Sequence, residues 1–270
     1  MNLNQVRVLV RGAGDIASAV AWRLNVSHFP VVMTEIPRPL AVRRRVAFCE
    51  AVWDGTAEVQ GVRARCVGGP EEVEETLARK EIPLLVDPDL KHIRTIDPGV
   101  LVDATLAKRN IGVHRDLAPL VIGVGPGFFA GRDVHMVVET NRGHYLGRVL
   151  LEGGAEPDTG VPGPVLGYTE ERVLRAQAEG LLEPSAEIGD KVVPGQAVAS
   201  VGGVEVHTRI AGVLRGLIRP GAHVSQGLKI GDVDPRGDIS YVDTISDKGL
   251  AVAGGVLEAL CRIYNNASKP

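Results

Sequence analysis

Residues Gly12-Ala13-Gly14-Asp15-Ile16-Ala17 form a GxGxxA element between a short apolar run at 6–10 and an apolar stripe at helical spacing, Ile16, Ala17, Val20, Ala21 and Leu24. A second apolar run at 31–34 follows, and Glu35 ends it, 21 residues after Gly14. A strand, a glycine turn, a helix and a second strand in that order predict a βαβ unit and a parallel sheet. Gly12 permits the tight turn, Gly14 lets backbone approach a pyrophosphate, and Ala17 lets helix and strand pack closely. Unpaired N–H groups at the helix start suit phosphate oxygens, and Glu35 suits ribose hydroxyls. The same glycines also serve a purely structural βαβ unit. Asp15 fits the helix dipole but repels a pyrophosphate, so either it caps the helix and turns away, the expected arrangement, or a divalent cation bridges it. Glu35 disfavours a 2′-phosphate, although Arg38 and the run Arg43-Arg44-Arg45 follow as a possible phosphate site or a solvated face.

Further strand-like runs lie at 83–86, 100–102, 120–124 and 134–138, with a helical segment at 71–80 opened by Pro70. Three segments leave these strands on the side where open α/β sheets bind ligands. Asp103, Thr105, Lys108 and Arg109 follow the run at 100–102. Gly123-Val124-Gly125-Pro126-Gly127 ends the run at 120–124, a poorer phosphate cradle because Pro126 has no N–H. Thr140, Arg142 and His144 follow the last, a hydroxyl, a guanidinium and an imidazole suited to an anionic, oxygen-rich ligand. The binding set read from the sequence is therefore Gly12, Ala13, Gly14, Asp15, Ile16, Glu35, Gly125, Thr140, Arg142 and His144, with no metal ligands and no assignable catalytic group.

Glycine and proline crowd residues 153–167, which marks a boundary. Beyond it residues 178–201 align without gaps on 210–233: Gly180 on Gly212, Leu182 on Leu214, Val192 on Val224, Val198 on Ile230 and Val201 on Val233. Two copies of a strand–turn–strand unit, each too small to bury an apolar face alone, close a core by packing together. The pattern resembles the barrel-sandwich of biotinyl and lipoyl carrier domains, but the stretch between the copies, 202–208, holds no lysine, so no swinging arm is expected. Helical spacing returns only at 249–264. The expected organisation is a Rossmann-like nucleotide-binding domain at 1–152, a linker at 153–172, a barrel-sandwich-like β domain at 173–238 and a C-terminal segment with a helix at 239–270. The expected fold class is α/β, a Rossmann-like mainly parallel sheet followed by the small all-β domain.

A formal net charge of −3 in 270 residues argues against a general nucleic-acid binder. No apolar stretch reaches the roughly eighteen residues of a membrane span, and the first residues lack a basic n-region and an apolar h-region, so a cytoplasmic protein is expected. Three widely spaced cysteines, Cys49, Cys66 and Cys261, give neither a disulfide framework nor a metal knuckle. Asp232, Asp234 and Asp238 alternate around Arg236, which reads as a turn with internal pairing rather than a cation loop.

The segments VRGAGDIA, VVMTEIPRP, APLVIGVGPGFFAGRDVH, VVETNRGHYLGRV, TGVPG, VLRGL, GLKIGDVDPRGD and TISDKGLAVAGGVLEAL together resemble the YqeB-type proteins, along nearly the whole chain and in order. That family is associated with the selenium-dependent molybdenum hydroxylase system. The resemblance implies an accessory protein for hydroxylase maturation that binds a dinucleotide, molybdopterin dinucleotide or NAD, with an apo molybdenum hydroxylase and a small-molecule nucleotide as partners. An NAD-dependent oxidoreductase on a small substrate is the alternative, although no Tyr-x-x-x-Lys pair supports it. A scaffold with a degenerate nucleotide site is a third reading, for which Asp15 is the best argument.

Overall fold

The computed structural model describes residues 5–265. Residues 1–4 and 266–270, the outer ends of the first and last expected segments, lie outside the described residues. The chain divides into two compact units, one from 1–39, 47–158 and 245–270, the other from 40–46 and 159–244.

The first unit is built on a nine-stranded sheet. Its strands are β1 (Val8–Arg11), β2 (Val31–Glu35), β3 (Thr56–Val59), β4 (Val62–Val67), β5 (Ile82–Val86), β6 (Val100–Asp103), β7 (Leu120–Val124), β9 (Met136–Val138) and β10 (Val149–Leu150), in the spatial order β10-β9-β7-β6-β1-β2-β5-β4-β3. The short β8 (Phe129–Ala130) and β11 (Gly153–Gly154) pair separately. Two long helices, α1 (Asp15–Val26) and α5 (Asp247–Tyr264), pack on each other. Three shorter helices, α2 (Ala51–Asp54), α3 (Val73–Ala78) and α4 (Ile93–Ile96), lie between the strands in sequence. The central strands β1, β6 and β7 are buried along their whole length, which is why their sequences are continuous apolar runs rather than alternating ones. Leu9, Val32, Leu85, Leu101, Val121 and Val137, one from each of six strands, share a buried cluster with Ile96 and Phe128.

This architecture corrects the expected Rossmann-like, mainly parallel fold with helices on both faces. The sheet is mixed: β3 pairs antiparallel with β4 at one edge and β10 antiparallel with β9 at the other. The crossover from β6 to β7 has no α-helix, only the 3-10 turn Arg115–Leu117. Leu106, Lys108 and Gly112 adopt positive φ there, at 53°, 60° and 95°. A right-handed helix cannot run through left-handed residues. The helix that packs on α1 comes instead from the far C-terminal end of the chain.

The second unit holds β12 (Val173–Arg175), β13 (Gly180–Pro184), β14 (Lys191–Val192), β15 (Ala197–Val201), β16 (Val204–His207), β17 (Gly212–Leu217), β18 (His223–Val224) and β19 (Lys229–Asp234). They form two four-stranded antiparallel sheets, β12-β19-β17-β14 and β16-β15-β13-β18. The expectation of a biotinyl/lipoyl-like barrel-sandwich is corrected to this pair of sheets. The gapless repeat shows its physical use in the pairing. Each copy gives its two longer strands to one sheet and its short middle strand, β14 or β18, to the sheet of the other copy. The aligned residues Leu182 and Leu214, Val192 and Val224, Val198 and Ile230, and Val201 and Val233 all lie in one buried core. Gly212, at φ +159°, marks a close backbone approach: a Cβ there would sit 2.3 Å from the Asp234 carbonyl oxygen.

Candidate functional site at the carboxyl edge of the large sheet

Parallel strands leave loop amides unpaired where they end, and this chain answers with a carboxylate at four strand ends. Glu35 ends β2, Asp103 ends β6, and Asp87 and Glu139 directly follow β5 and β9. Asp87 accepts the N–H groups of Lys91 and His92, both at 2.9 Å. Asp103 accepts the Thr105 N–H at 3.1 Å and its hydroxyl at 2.7 Å. Glu139 accepts from the amides of Thr140, Asn141 and Glu156 at 2.6, 2.7 and 2.8 Å. Arg11, the buried last residue of β1, pairs with Asp103 at 3.1 Å and donates to the Pro88 and Ile111 carbonyls, tying two of these loops together. The rim of the sheet is thus fixed by buried charge.

The first glycine loop belongs to the same arrangement. Gly12 takes φ +95° against the backbone of Ala104 and Thr105, and its N–H donates to the Thr34 carbonyl. The Ala13 N–H donates to Glu35 Oε2 at 2.7 Å, while Oε1 accepts the Ile36 N–H at 2.7 Å. The carboxylate expected to meet a ribose is turned onto the loop itself, and one amide expected to grip a diphosphate is already filled. Burial raises the Glu35 pKa above the usual carboxylate value, and its two backbone hydrogen bonds oppose that rise. Gly14 is the N-cap residue of α1, and the expected side-chain cap from Asp15, the first helical residue, does not form. Among the described residues no acceptor takes the N–H groups of Gly14, Asp15 or Ile16.

The second predicted cluster separates into different roles. Gly125 (φ +81°) and the buried Thr140 come together, since a Cβ on Gly125 would lie 2.7 Å from the Thr140 hydroxyl. Arg142 is engaged in a two-pronged ion pair with Asp247 at the start of α5, at 2.6 and 3.0 Å. His144 is exposed, with its ring edge-on to Tyr145. The loop that carries these residues is pressed onto α5: a Cβ on Gly147 would lie 2.5 Å from the Ala251 carbonyl oxygen, and one on Gly255 would lie 2.1 Å from the Gly147 carbonyl oxygen.

Folding also brings in a residue that sequence reasoning missed. Lys248 stands in the first turn of α5, half-buried, with no hydrogen bond or ion pair among the described residues. Its surroundings place it at the sheet edge: burial and the Arg142 guanidinium lower its pKa below the lysine value, against the opposing pull of Asp15, Asp158 and Glu139. Asp15 likewise makes no hydrogen bond or ion pair among the described residues. Lys108, by contrast, is paired with Asp158 at 2.6 Å. The first turn of α5 touches the second turn of α1, since a Cβ on Gly249 would lie 3.0 Å from the Ala19 Cβ. The start of α5 therefore packs on the N-terminal half of α1, with an ammonium and a carboxylate, Lys248 and Asp15, that make no hydrogen bond or ion pair among the described residues. The signal in the sequence, Ser246-Asp247-Lys248, reads as an ordinary capped first turn, and indeed Ser246 Oγ accepts the Gly249 N–H at 3.1 Å.

The other residues singled out in the sequence have structural partners. Arg43 donates to the Tyr241 and Thr244 carbonyls, Arg44 to the Leu217 carbonyl, and Arg45 to the Ile188 carbonyl and Asp243, so the basic run secures the second unit. Asp232 and Asp234, each 1% exposed, are faced by Arg172, Arg215, Lys229 and Arg236. Burial pushes the Cys49 thiol far up and raises Cys66 as well, so neither is a ready thiolate. Among the described residues no group of three or more His, Cys, Asp or Glu side chains can hold a metal ion, and no helix is long and apolar enough to cross a membrane.

No protein-family model matches the chain. The chain is 45% identical over 262 residues to "Uncharacterized protein YqeB" of Escherichia coli (strain K12), across 97% of this chain and 48% of that protein. The chain thus spans about half the length of this relative, whose name mentions neither selenium nor molybdenum. Among solved structures, the product-bound ectoine utilization protein EutE (DoeB) from Ruegeria pomeroyi is 12% identical with a TM-score of 0.26, covering 85% of both chains. A succinylglutamate desuccinylase from Silicibacter sp. TM1040 gives 13% and 0.25, covering 85% of this chain and 84% of that one. An aspartoacylase family protein from Mesorhizobium loti gives 11% and 0.27, covering 85% of both. Neither expected function survives. The predicted dinucleotide grip has lost Glu35 and the Ala13 amide to each other.

Proposed function

We propose that the carboxyl edge of the nine-stranded sheet binds a small metabolite through its oxyanion, a carboxylate or a phosphate group, at the N-terminal ends of α1 and α5. The observation that carries this reading is the packing of the start of α5 on the N-terminal half of α1, Gly249 against Ala19, with Lys248 left without an anionic partner within ion-pair distance. Each helix start contributes unpaired amides and the positive end of a dipole, and two together favour one anion more than either alone. The strand-end carboxylates do not oppose the ligand as free charges, because Glu35, Asp103 and Glu139 are spent on loop amides, whereas Asp15 in the first turn of α1 does oppose it. Thr140, beside Gly125, supplies a hydroxyl at the same rim.

Titration calorimetry with succinate and with inorganic phosphate tests this. Binding of at least one is expected, weakening as salt rises. Lys248→Met should weaken it by roughly tenfold or more, the consequence of losing a charge-assisted hydrogen bond of about 1.5–3 kcal/mol. Absence of binding by both anions at millimolar concentration overturns the reading.

A further inference from the structure

Resting on the reading that this edge takes an oxyanion, we infer that the Thr140 hydroxyl is a selecting contact for it, and that Leu106 is an apolar cover which the ligand displaces. Buried hydroxyls are nearly always paired. Others at this rim are: Thr105 Oγ1 donates to Asp103 at 2.7 Å, and Ser18 Oγ to the Ala13 carbonyl at 3.0 Å. Thr140 is 5% exposed and its N–H is spent on Glu139, yet its hydroxyl makes no hydrogen bond among the described residues. Thr34 shares that lack, but it is 0% exposed and sealed within the sheet, whereas the Thr140 hydroxyl is not sealed.

Gly125 defines the space in front of that hydroxyl. A Cβ there would lie 2.7 Å from Thr140 Oγ1, 3.2 Å from Thr140 Cγ2 and 3.4 Å from Leu106 Cδ2. Hydroxyl, apolar side chain and glycine backbone thus converge on one point. The same glycine loop carries two amides, of Gly127 and Phe128, that meet no acceptor among the described residues. An unpaired hydroxyl and free amides, beside a residue whose missing side chain leaves room, are the parts of an oxyanion subsite. The group that lies against it now is Leu106, which cannot hydrogen-bond.

The loop that carries Leu106 is built to give way in its middle. Leu106 and Lys108 take left-handed φ values of 53° and 60°, which cost any residue with a Cβ. The two ends are held by buried charge, Thr105 on Asp103 and the Ile111 carbonyl on Arg11. Between them, Lys108 pairs with Asp158 at the surface, a weak tie in water. Lifting Leu106 gives up an apolar contact, frees two residues from an unfavourable conformation, and lets a ligand oxygen accept the Thr140 hydroxyl hydrogen.

Titration calorimetry of the full chain with succinate and with inorganic phosphate, on wild type and three variants, tests this; the two titrants separate a carboxylate ligand from a phosphate one. Thr140→Val keeps the shape, removes the hydroxyl, and should weaken the anion that binds by roughly tenfold or more, as expected for a hydrogen bond to a charged group. Since that hydroxyl has no partner in the free protein, the same variant should melt no lower than wild type. Thr140→Ser, which restores the hydroxyl, should recover most of the affinity. Leu106→Ala removes the cover and should tighten binding by roughly threefold, because less has to be lifted before the ligand enters. Wild-type binding that Thr140→Val leaves unchanged, or a Thr140→Val protein that melts lower, overturns the role of Thr140 and leaves the anion site at the helix starts in place. Binding that Leu106→Ala leaves unchanged or weakens overturns the cover. Absence of binding by both anions overturns this inference together with the reading beneath it.

Discussion

The Ala13 N–H donates to the Glu35 carboxylate at 2.7 Å, so the last residue of β2 closes the glycine loop at the end of β1. Loss of Glu35 leaves a buried amide without an acceptor, whereas the second partner, Ile36, is exposed and can turn to water. Glu35→Ala should therefore destabilise the protein by about 1–3 kcal/mol in urea unfolding, the cost of one unsatisfied buried donor, and Glu35→Gln by less. The folded pKa of Glu35 is raised by burial, so its favourable contribution is present below the unfolded value near 4.5 and is lost as pH rises through the folded one. Wild type should lose stability relative to Glu35→Gln as pH rises across that window. An unchanged difference between pH 4 and 7 would show that the carboxylate is not buried in solution.

Neighbouring glycines on α5 should respond with opposite sign. A Cβ on Gly255 meets the Gly147 carbonyl oxygen at 2.1 Å and Val138 at 2.8 Å, while one on Gly254 meets nothing within 4 Å. Gly255→Ala must push the 140–148 loop off the helix and should cost about 1–3 kcal/mol. Gly254→Ala should stabilise by about 0.5–1 kcal/mol, because alanine gives up less backbone freedom in a helix. Thermal melts of the two single variants check this pair.

The same helix shows how far local pattern reaches. Apolar runs marked β1, β2, β5, β6 and β7 in the sequence because strands buried on both faces must be continuously apolar, and helical spacing marked α1 and most of α5. The β3–β4 hairpin, turning through Gln60 and Gly61, passed unnoticed, since Glu58, Arg63 and Arg65 break its apolar pattern. The fold class failed for a related reason. Periodicity does not reveal that residues 104–114 take left-handed turns, or that a helix more than two hundred residues away in sequence covers α1. Gly12 and Asp15 were visible as a site because they adjoin in sequence. Lys248 was not, because its lack of an ion pair is a property of the tertiary packing.

His135 gives a pH signature at neutral values. Its Nδ1 accepts the Val121 N–H at 2.9 Å, which requires an unprotonated nitrogen there. Burial, with help from Arg115 and against Asp116, lowers its pKa below 6.5. The unfolded chain then binds a proton more readily than the folded one, so the stabilisation is complete above about 6.5 and is lost as pH falls below it. Unfolding free energy should decline between pH 7 and 5 with a slope that His135→Gln reduces. Equal slopes in the two proteins would place the titration elsewhere.

Buried charge in the second unit makes the strongest stability prediction. Asp232, 1% exposed, accepts from both Arg172 and Arg215, and Arg172 is itself only 6% exposed. Asp234 also pairs with Arg215, at 3.1 Å, and with Arg236 at 2.6 Å, so two carboxylates hold a larger number of cations. Removing one carboxylate strands Arg172 with its remaining bond to the Gly163 carbonyl at 3.2 Å. A buried guanidinium without its counter-charge typically costs about 3–5 kcal/mol. Asp232→Asn keeps the shape and removes the charge, and should still lose most of that amount. Replacing both Asp232 and Arg172 with leucine and methionine should recover part of it, because the stranded charge goes with its partner. Urea midpoints for the single and double variants measure the recovery, and a double variant less stable than Asp232→Asn would show that the network is held by packing rather than by charge.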